Sequence, residues 1–363
     1  MKKSLLALAL LGAFAGVANA QSAVQIYGTV DAGMIKRSNE TLNIGKRANN
    51  TLGFKGTEDL GNGLKALFQL EIRYEPDTGT VESGSRPLFQ GQSRVGLQGD
   101  FGMVRLGRGL TAFQESSTAF EPWHGLPSPA GFQTDLTVAG YTTAFGGKSG
   151  SDPLGAPGNS GNRFANAVFY NSPEFSGFQI NTTVATKEAN GYTQAVGTAP
   201  ARVYTPAVGI VPANEGSVNP YSISATYKNG PVAAMLATER NAVETRLWSV
   251  AASIMATPEL KLMASYQRQN QDHTLATNPL TKAWVLGANY TMGPGKFLAG
   301  YGQKNPDGIA KTYQTSLGYE YSLSKRTYVY ADASRKKAPL APVTSASPAV
   351  NINTYAVGVN HAF

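Results

Sequence analysis

The sequence predicts an all-β fold, namely a 16-stranded antiparallel transmembrane β-barrel. Apolar and polar residues alternate along short segments from one end of the chain to the other. Short and long connections between these segments alternate along the chain. Beyond the first 20 residues, no apolar run approaches the roughly 20 residues that a membrane-spanning helix needs. Strands with one apolar and one polar face satisfy all three observations when the sheet closes around a lumen.

The first 20 residues form a separate segment. Lys2 and Lys3 precede an apolar run over 5–17, and Ala18-Asn19-Ala20 has the small residues of a cleavage site. This pattern is typical of a secretory signal peptide, so residues 1–20 are predicted to be removed and residues 21–363 to form the barrel. Without Lys2 and Lys3 the chain keeps 29 basic and 23 acidic residues, a net charge of +6. That charge is too dispersed for a nucleic-acid partner.

Sixteen segments carry the strand alternation, and β-branched and aromatic residues are frequent in them. In chain order they are 24–34, 52–56, 64–75, 93–99, 103–108, 164–170, 177–184, 221–227, 232–239, 246–254, 260–268, 283–290, 296–302, 312–321, 326–334 and 354–363. Gly, Pro, Asn and Asp in the short connections supply the backbone angles of tight turns. The long connections are 35–48, 76–89, 109–162, 188–220, 271–280 and 337–351. Long loops at one rim and short turns at the other are typical of an outer-membrane barrel.

Aromatic residues support the same interpretation. Several of them lie on the apolar sides of the segments, often near segment ends: Trp248, Tyr266, Trp284, Tyr290, Tyr301, Tyr319 and Tyr321. Girdles of aromatic side chains at the two membrane interfaces explain this placement. The alternative is a large soluble barrel or solenoid with aromatics in its core, but no repeat of 20 to 50 residues is present. With 16 strands, a barrel keeps an aqueous lumen.

Alternation also predicts which charged side chains line the lumen. The apolar neighbours of Lys55, Glu71, Arg73, Arg94 and Arg105 face lipid, so these five side chains face inward. A charge on the lipid face near the midplane costs about 2 to 4 kcal/mol, which favours the same assignment. For Arg108 the pattern leaves both faces open, because strict alternation from Arg105 turns it outward unless the strand breaks at Gly107.

Six stretches of the mature chain resemble the general porins of Gram-negative bacteria, most closely those of neisserial and β-proteobacterial outer membranes. They are VQIYGTVDAG, GFKGTEDLGNGLKALFQLE, VGLQGDFGMVRLGR, NAVFYNSPEFSGF, YSLSKRTYVYA and the terminal Phe363. The resemblance implies a homotrimer of 16-stranded barrels, each with its third external loop folded inward to narrow the pore. It also implies that Phe363 is the signal read by the outer-membrane assembly machinery.

The resemblance covers only part of the family's basic cluster. Arg108 matches the arginine at the start of the third loop, and Arg163 matches the arginine before the next strand. Thr51 stands where the family has a further arginine, and Phe169 stands where it has a lysine. A milder selectivity than that of the family is therefore expected.

The stretch 109–162 is the candidate for the infolded loop. Glu115 and Glu121 are acidic, and Glu121-Pro122-Trp123 resembles a DPF-like element of the family's third loop. If these carboxylates face Arg94, Arg105 and Arg163 across the lumen, they set a transverse field that orders permeating solutes by charge.

The expected function is a water-filled outer-membrane channel for passive diffusion of small hydrophilic solutes and ions, with a modest anion preference. The expected partners are the bilayer, further copies of the chain, the assembly machinery and the solutes. The three histidines lack a serine elbow or metal-ligand spacing, so neither an enzyme nor a cofactor or metal is predicted. The chain has no cysteine and therefore no disulfide framework. The alternative is a surface-exposed barrel that acts mainly through its loops as an adhesin or ligand receptor.

Overall fold

The structure is a computed structural model that describes only part of the chain. The described ranges are 23–38, 40–82, 88–133, 136, 163–186, 219–240, 246–270, 280–308, 310–339 and 348–363. The predicted signal peptide, residues 1–20, and the predicted mature start at Gln21 lie outside these ranges and stay predictions. Residues 134, 135 and 137–162 of the predicted loop also lie outside them.

The described residues form seventeen strands of one antiparallel sheet. They are β1 Ala23–Arg37, β2 Asn43–Gly45, β3 Asn50–Gly61, β4 Leu64–Tyr74, β5 Gln92–Gly99, β6 Gly102–Leu110, β7 Arg163–Asn171, β8 Phe178–Ala185, β9 Tyr221–Asn229, β10 Val232–Arg240, β11 Arg246–Met255, β12 Leu260–Asn270, β13 Leu280–Met292, β14 Gly295–Pro306, β15 Thr312–Ser322, β16 Thr327–Pro339 and β17 Ala349–Ala362. Between β6 and β7 lie a short helix, α1 Ala112–Ser117, and a 3-10 turn, Thr118–Phe120.

The sheet closes on itself. From β3 onward each strand pairs with the next, and β17 pairs with β1 in a register that places Val30 opposite His361. The short strand β2 pairs only with β1, on the same edge as β3, so β2 and β3 together act as one interrupted strand. The prediction of a closed 16-stranded antiparallel barrel is therefore confirmed, with β2 as an addition. Among the described residues, no helix is long and apolar enough to cross a membrane.

The predicted alternation of faces is also confirmed. In β17, Tyr355 and Val357 are 58% and 46% exposed, whereas Thr354 and Ala356 on the other face are buried. Exposed apolar side chains recur on the outer face of the other strands, and this face meets lipid. The outward aromatic side chains pair across strands, as in Trp248–Tyr266 with ring centroids 5.3 Å apart. They form part of the predicted aromatic girdle.

The two edges of the barrel differ in their connections. At the short-turn rim, strands are joined by tight turns such as 62–63, 230–231 and 293–294. At the long-loop rim lie the connections 75–91, 111–162, 186–220 and 271–279, among others. In an outer-membrane barrel the short turns are periplasmic and the long loops extracellular.

Candidate functional site: the loop and the charged inner wall

The described part of the third loop, residues 111–133 and 136, is called the loop segment. Thr111 begins it by capping α1, since its hydroxyl accepts a hydrogen bond from the Gln114 N–H at 3.2 Å. The first turn of the helix is held by the wall: the Ala112 N–H donates to Thr183 Oγ1 of β8 at 3.0 Å, and the Phe113 N–H donates to Ser222 Oγ of β9 at 2.9 Å. Small hydroxyl residues of the inner wall thus satisfy helix N–H groups that have no partner within the helix.

Aromatic side chains anchor the middle of the loop segment to the inner wall. Phe113 and Phe120 pack with four inward residues of β10 and β11, which are Met235, Ala237, Leu247 and Ala251. Trp123, Phe132 and Leu136 pack with Val285 of β13 and Leu298 of β14. Their burial offsets the entropy lost on fixing the loop, at about 1.5 to 3 kcal/mol for each large side chain.

Hydrogen bonds fix the far end of the loop segment to β15 and β16. The Trp123 indole N–H donates to Asp332 at 3.1 Å, and the Ser128 hydroxyl donates to the same carboxylate at 3.1 Å. Gln314 Nε2 donates to the Ala130 carbonyl at 3.1 Å. The loop segment therefore follows the inner faces of the wall from β8 to β16.

Arg47 lies behind this anchor and was missed by sequence reasoning. Its side chain is fully buried; Nε donates to Asp332 at 2.9 Å, and Nη1 donates to Glu320 at 2.7 Å. Its guanidinium lies 4.8 Å from the centre of the Tyr330 ring. Arg47 stands in the interruption between β2 and β3, where strand alternation gives no signal.

The carboxylate of Asp31 stabilises the sheet at the interruption between β2 and β3. It accepts hydrogen bonds from the Arg47 N–H at 2.6 Å, from the Tyr330 hydroxyl at 3.1 Å and from the Asn360 amide at 2.9 Å. Asp31 is fully buried. We conclude that Asp31 has a structural role.

Arg94 of β5 and Arg105 of β6, called the arginine pair, meet the loop segment at Glu115. Arg94 Nη1 lies 3.0 Å from one oxygen of Glu115, and Arg105 Nη2 lies 3.4 Å from the other. Arg94 also donates twice to Gln69 Oε1, at 3.2 and 3.0 Å, and Arg105 donates to Asn171. Two cations thus share a single carboxylate. Among the described residues, the hydrogen bonds and ion pairs between the loop segment and β1 to β7 all involve Glu115.

The ring of Phe169 on β7 packs against both guanidinium groups of the arginine pair. The ring is 1% exposed, and the guanidinium carbons of Arg94 and Arg105 lie 5.6 and 5.7 Å from its centre. These distances fit cation–π contacts. Phe169 therefore holds both guanidinium groups in position.

A β-bulge at Gly107 resolves the assignment of Arg108. The pairing of β6 with β7 shifts between Gly107 and Gly109, and Gly107 has φ +127, where a Cβ would lie 2.1 Å from the Ser93 carbonyl oxygen. The bulge breaks the alternation, so Arg108 is buried, with Nε donating to the Gln90 carbonyl at 3.1 Å. Arg163 of β7 is also buried, and its Nε donates to the Gly91 carbonyl at 2.7 Å.

The remaining predicted wall residues lie beside the arginine pair on β3 and β4. Lys55 is exposed and its ammonium lies 5.1 Å from the centre of the Tyr27 ring. The Tyr27 hydroxyl donates to Glu71 at 3.2 Å, and Arg73 Nε lies 3.9 Å from the same carboxylate. The inner face of β3 to β6 therefore carries Lys55, Arg73, Arg94 and Arg105 near the two carboxylates of Glu71 and Glu115.

Glu121 differs from the sequence expectation. It is 1% exposed, and its carboxylate accepts hydrogen bonds from the Gly125 N–H at 2.8 Å and the Phe132 N–H at 3.0 Å. The side chain ties the loop segment to itself and does not point across the lumen at the wall arginines. Burial raises the pKa of Glu121 to about 7, although its hydrogen bonds to backbone N–H groups act in the opposite direction.

Comparison with known proteins identifies the class to which this barrel belongs. A family model described as Gram-negative porin matches residues 7–338. The chain belongs to this family of outer-membrane channels, which confirms the predicted family and the outer-membrane location.

Individual relatives span nearly the whole chain. Outer membrane porin protein 32 of Delftia acidovorans is 31% identical over 355 residues, covering 92% of this chain and 88% of the relative. An outer membrane porin protein of Bordetella pertussis is 27% identical, and the match covers both chains fully. Among solved structures, the anion-selective porin from Comamonas acidovorans shares the fold with a TM-score of 0.74 and 24% identity, over 94% of this chain and all of that one.

Proposed function

We propose that this porin is a passive diffusion channel for small hydrophilic solutes with a modest preference for anions. The observation that carries the proposal is the arginine pair on the inner wall, whose two guanidinium groups share the single carboxylate of Glu115 on the loop segment. A porin of this kind has no catalytic residues and needs neither a cofactor nor a metal.

The sign of the preference follows from the charges around the arginine pair. Lys55, Arg73, Arg94 and Arg105 outnumber Glu71 and Glu115 on this part of the wall and the loop. A lumen lined by an excess of one sign raises the local concentration of counter-ions. The excess is small, and salt screens exposed charges beyond about 10 Å at 0.1 M, so the preference is modest. The solved relative named anion-selective has the same sign of preference.

The loop 109–162 narrows the lumen in this proposal, with Glu115 and the arginine pair at the narrow region. The supporting observation is that the loop segment is held to the inner faces of β8 to β16, which leaves its contact with β5 and β6 to Glu115. Arg108 and Arg163 lie buried behind this region and add positive potential to it.

The proposal also includes a homotrimer. The outward faces near both chain ends are apolar, with Val24 and Ile26 of β1 at 62% and 59% exposure. An apolar face is suited both to lipid and to a second subunit. We expect three copies per particle by light scattering in mild detergent, and a monomeric mass would contradict the trimer.

Reversal potentials across planar bilayers under a salt gradient test the channel and its sign. The wild type should conduct and favour anions, and Arg94→Gln and Arg105→Gln should each weaken this preference because they remove one lumen charge. Arg335→Gln is the matched control, since Arg335 is exposed on the outer face of β16. A cation-selective wild type would contradict the proposed sign. A protein that folds but does not conduct would favour the adhesin or receptor alternative.

A further inference from the structure

Four basic side chains lie together on the outer, lipid-facing surface of β10 to β13. They are Arg240, Arg246, Arg268 and Lys282, and all four stand at the strand ends that meet the long-loop rim. Alternation assigns them to the outer face, because Leu236, Val250 and Leu286 on the same faces of their strands are 61%, 45% and 53% exposed. They form a patch outside the lumen, which is called the outer basic patch.

The strand register places these like charges directly opposite one another. Arg240 pairs with Arg246 across β10 and β11, and Arg268 pairs with Lys282 across β12 and β13. Like charges at directly opposite positions destabilise a sheet. The guanidinium carbon of Arg240 lies 5.7 Å from the centre of the Tyr221 ring. This stacking supplies packing but no negative charge.

No carboxylate of the described residues forms an ion pair with the outer basic patch. Glu239, next to Arg240 in the chain, is buried on the inner face of β10, and Glu244 and Asp272 belong to loops outside the described ranges. Even if both approached, four cations would face two carboxylates. The patch therefore keeps an excess of positive charge.

The height of the outer basic patch matches that of lipid headgroups. Trp248, Tyr266 and Trp284 lie two residues further along the same strand faces as Arg246, Arg268 and Lys282, roughly 7 Å toward the middle of the barrel. Aromatic side chains mark the membrane interface. Cations immediately beyond them, with apolar stems along the barrel surface, reach the headgroup layer.

The outer faces of the same four strands carry no such charge at their other ends. Their outward residues near the short-turn rim are apolar, with Val232, Ile254, Leu262 and Met292 at 38%, 44%, 41% and 58% exposure. On the outer faces of these strands the positive charge is confined to the long-loop rim, which faces the outer leaflet, whereas Lys261 at the other end of β12 donates to the Ala119 carbonyl inside the barrel.

We propose that the outer basic patch binds phosphate-bearing lipid headgroups of the outer leaflet. A phosphate between two opposed cations accepts forked hydrogen bonds from the guanidinium groups and offsets their repulsion. A second copy of the chain is a poor occupant, because its own patch has the same sign. The proposal is independent of conduction through the lumen.

Native mass spectrometry of the wild-type protein with bisphosphorylated lipid A gives the first test. The protein should retain this lipid in the mass spectrum. Dephosphorylated lipid A, supplied in its place, should not be retained. Inorganic phosphate at equal concentration should not compete, because it lacks the acyl chains that add membrane contacts. Equal binding of dephosphorylated lipid, or full competition by inorganic phosphate, would overturn the proposal.

Variants locate the site. Arg246→Gln with Arg268→Gln should weaken lipid A binding by about 25-fold, since each cation near an anionic headgroup contributes about a factor of five. Lys325→Gln with Arg326→Gln removes equal charge from an exposed turn at the short-turn rim and should bind like the wild type.

Wild-type conductance of the first pair of variants, Arg246→Gln with Arg268→Gln, establishes that this protein is folded. Wild-type lipid affinity in that folded pair, or a change in its oligomeric mass, would overturn the assignment. Arg246→Lys with Arg268→Lys, which keeps the charge, should retain part of the affinity.

Discussion

Arg47 shows how one buried side chain can fix both the wall and the loop. Its guanidinium is paired with Asp332 and Glu320, and Asp332 in turn accepts hydrogen bonds from Trp123 and Ser128 of the loop segment. A buried charge is tolerated only when it is paired and hydrogen-bonded. The carboxylate that anchors the loop segment is therefore neutralised by a residue from the opposite side of the barrel seam.

Replacing Arg47 with methionine should lower the free energy of unfolding by about 3 to 5 kcal/mol, because Asp332 is left buried without its cation. Glu320 keeps Lys296 as a partner. The measurement is the urea midpoint of the purified barrel in detergent. Arg37→Met is the matched control: Arg37 lies 3.7 Å from Glu40, with both side chains nearly half exposed, and such a pair contributes little. Equal midpoints for the two variants would contradict the role given to Arg47.

Some of these residues could be predicted from the sequence and others could not. Lys55, Arg94 and Arg105 stand in regular strands, where period-two alternation fixes the face of each side chain. Arg47 stands in an interruption, and its partners lie 273 and 285 residues away in the chain. A contact over such a separation leaves no local pattern in a single sequence.

At the level of whole elements, β6 shows where strand alternation stops predicting the face on which a side chain lies. Alternation predicts its inward and outward residues as far as Gly107, and the bulge there returns Arg108 to the inner side. A glycine with positive φ permits a bulge, but many glycines in strands have no such role. The loop segment presents the same difficulty, because Glu121 bonds to backbone groups whose positions only the folded loop defines.

Docking of the loop segment should depend on pH through Glu121. Its pKa is raised to about 7 in the docked loop, against about 4.5 for an ordinary glutamate. A raised carboxyl pKa favours the docked state at low pH, so docking should weaken as pH rises from about 4.5 to about 7 and stay constant above that range. Over this window the change should amount to roughly 3 kcal/mol. Fluorescence of the buried Trp123, with Trp248 and Trp284 replaced by Phe, follows undocking in urea.

Glu121→Gln supplies the control for this pH dependence. Glutamine stays neutral and keeps one acceptor oxygen, so the stability of the docked loop should lose most of its slope between pH 4.5 and 7. Subtracting the variant from the wild type cancels the titration of other groups, including His124. Parallel slopes for the two proteins would show that Glu121 does not carry the effect.

At the scale of the whole molecule, the barrel is closed at its seam by the last residue. The Gly28 N–H donates to the Phe363 carbonyl at 3.1 Å, and the Phe363 N–H donates to the Gly28 carbonyl at 3.0 Å. The Phe363 ring lies over Gly28, where a Cβ would come within 2.5 Å of it. Closure was predictable because each strand shows its own alternation and an open edge is a liability in a sheet. The path of the third loop was not predictable, since it depends on contacts with eleven strands, namely β5, β6 and β8 to β16.

Two changes at Phe363 separate closure of the seam from recognition during assembly. Phe363→Ala keeps both backbone hydrogen bonds to Gly28 and removes only the ring, whereas deletion of Phe363 removes the ring and both bonds. If the ring is the assembly signal, as the family resemblance implies, both variants should give less folded barrel in cells. Refolded from urea into detergent without any assembly machinery, Phe363→Ala should match the wild type, whereas the deletion should be less stable by about 1 to 3 kcal/mol. Folded yield in cells and the urea midpoint in detergent are the two measurements. A Phe363→Ala variant with wild-type yield in cells would leave the terminal residue with the seam as its only role.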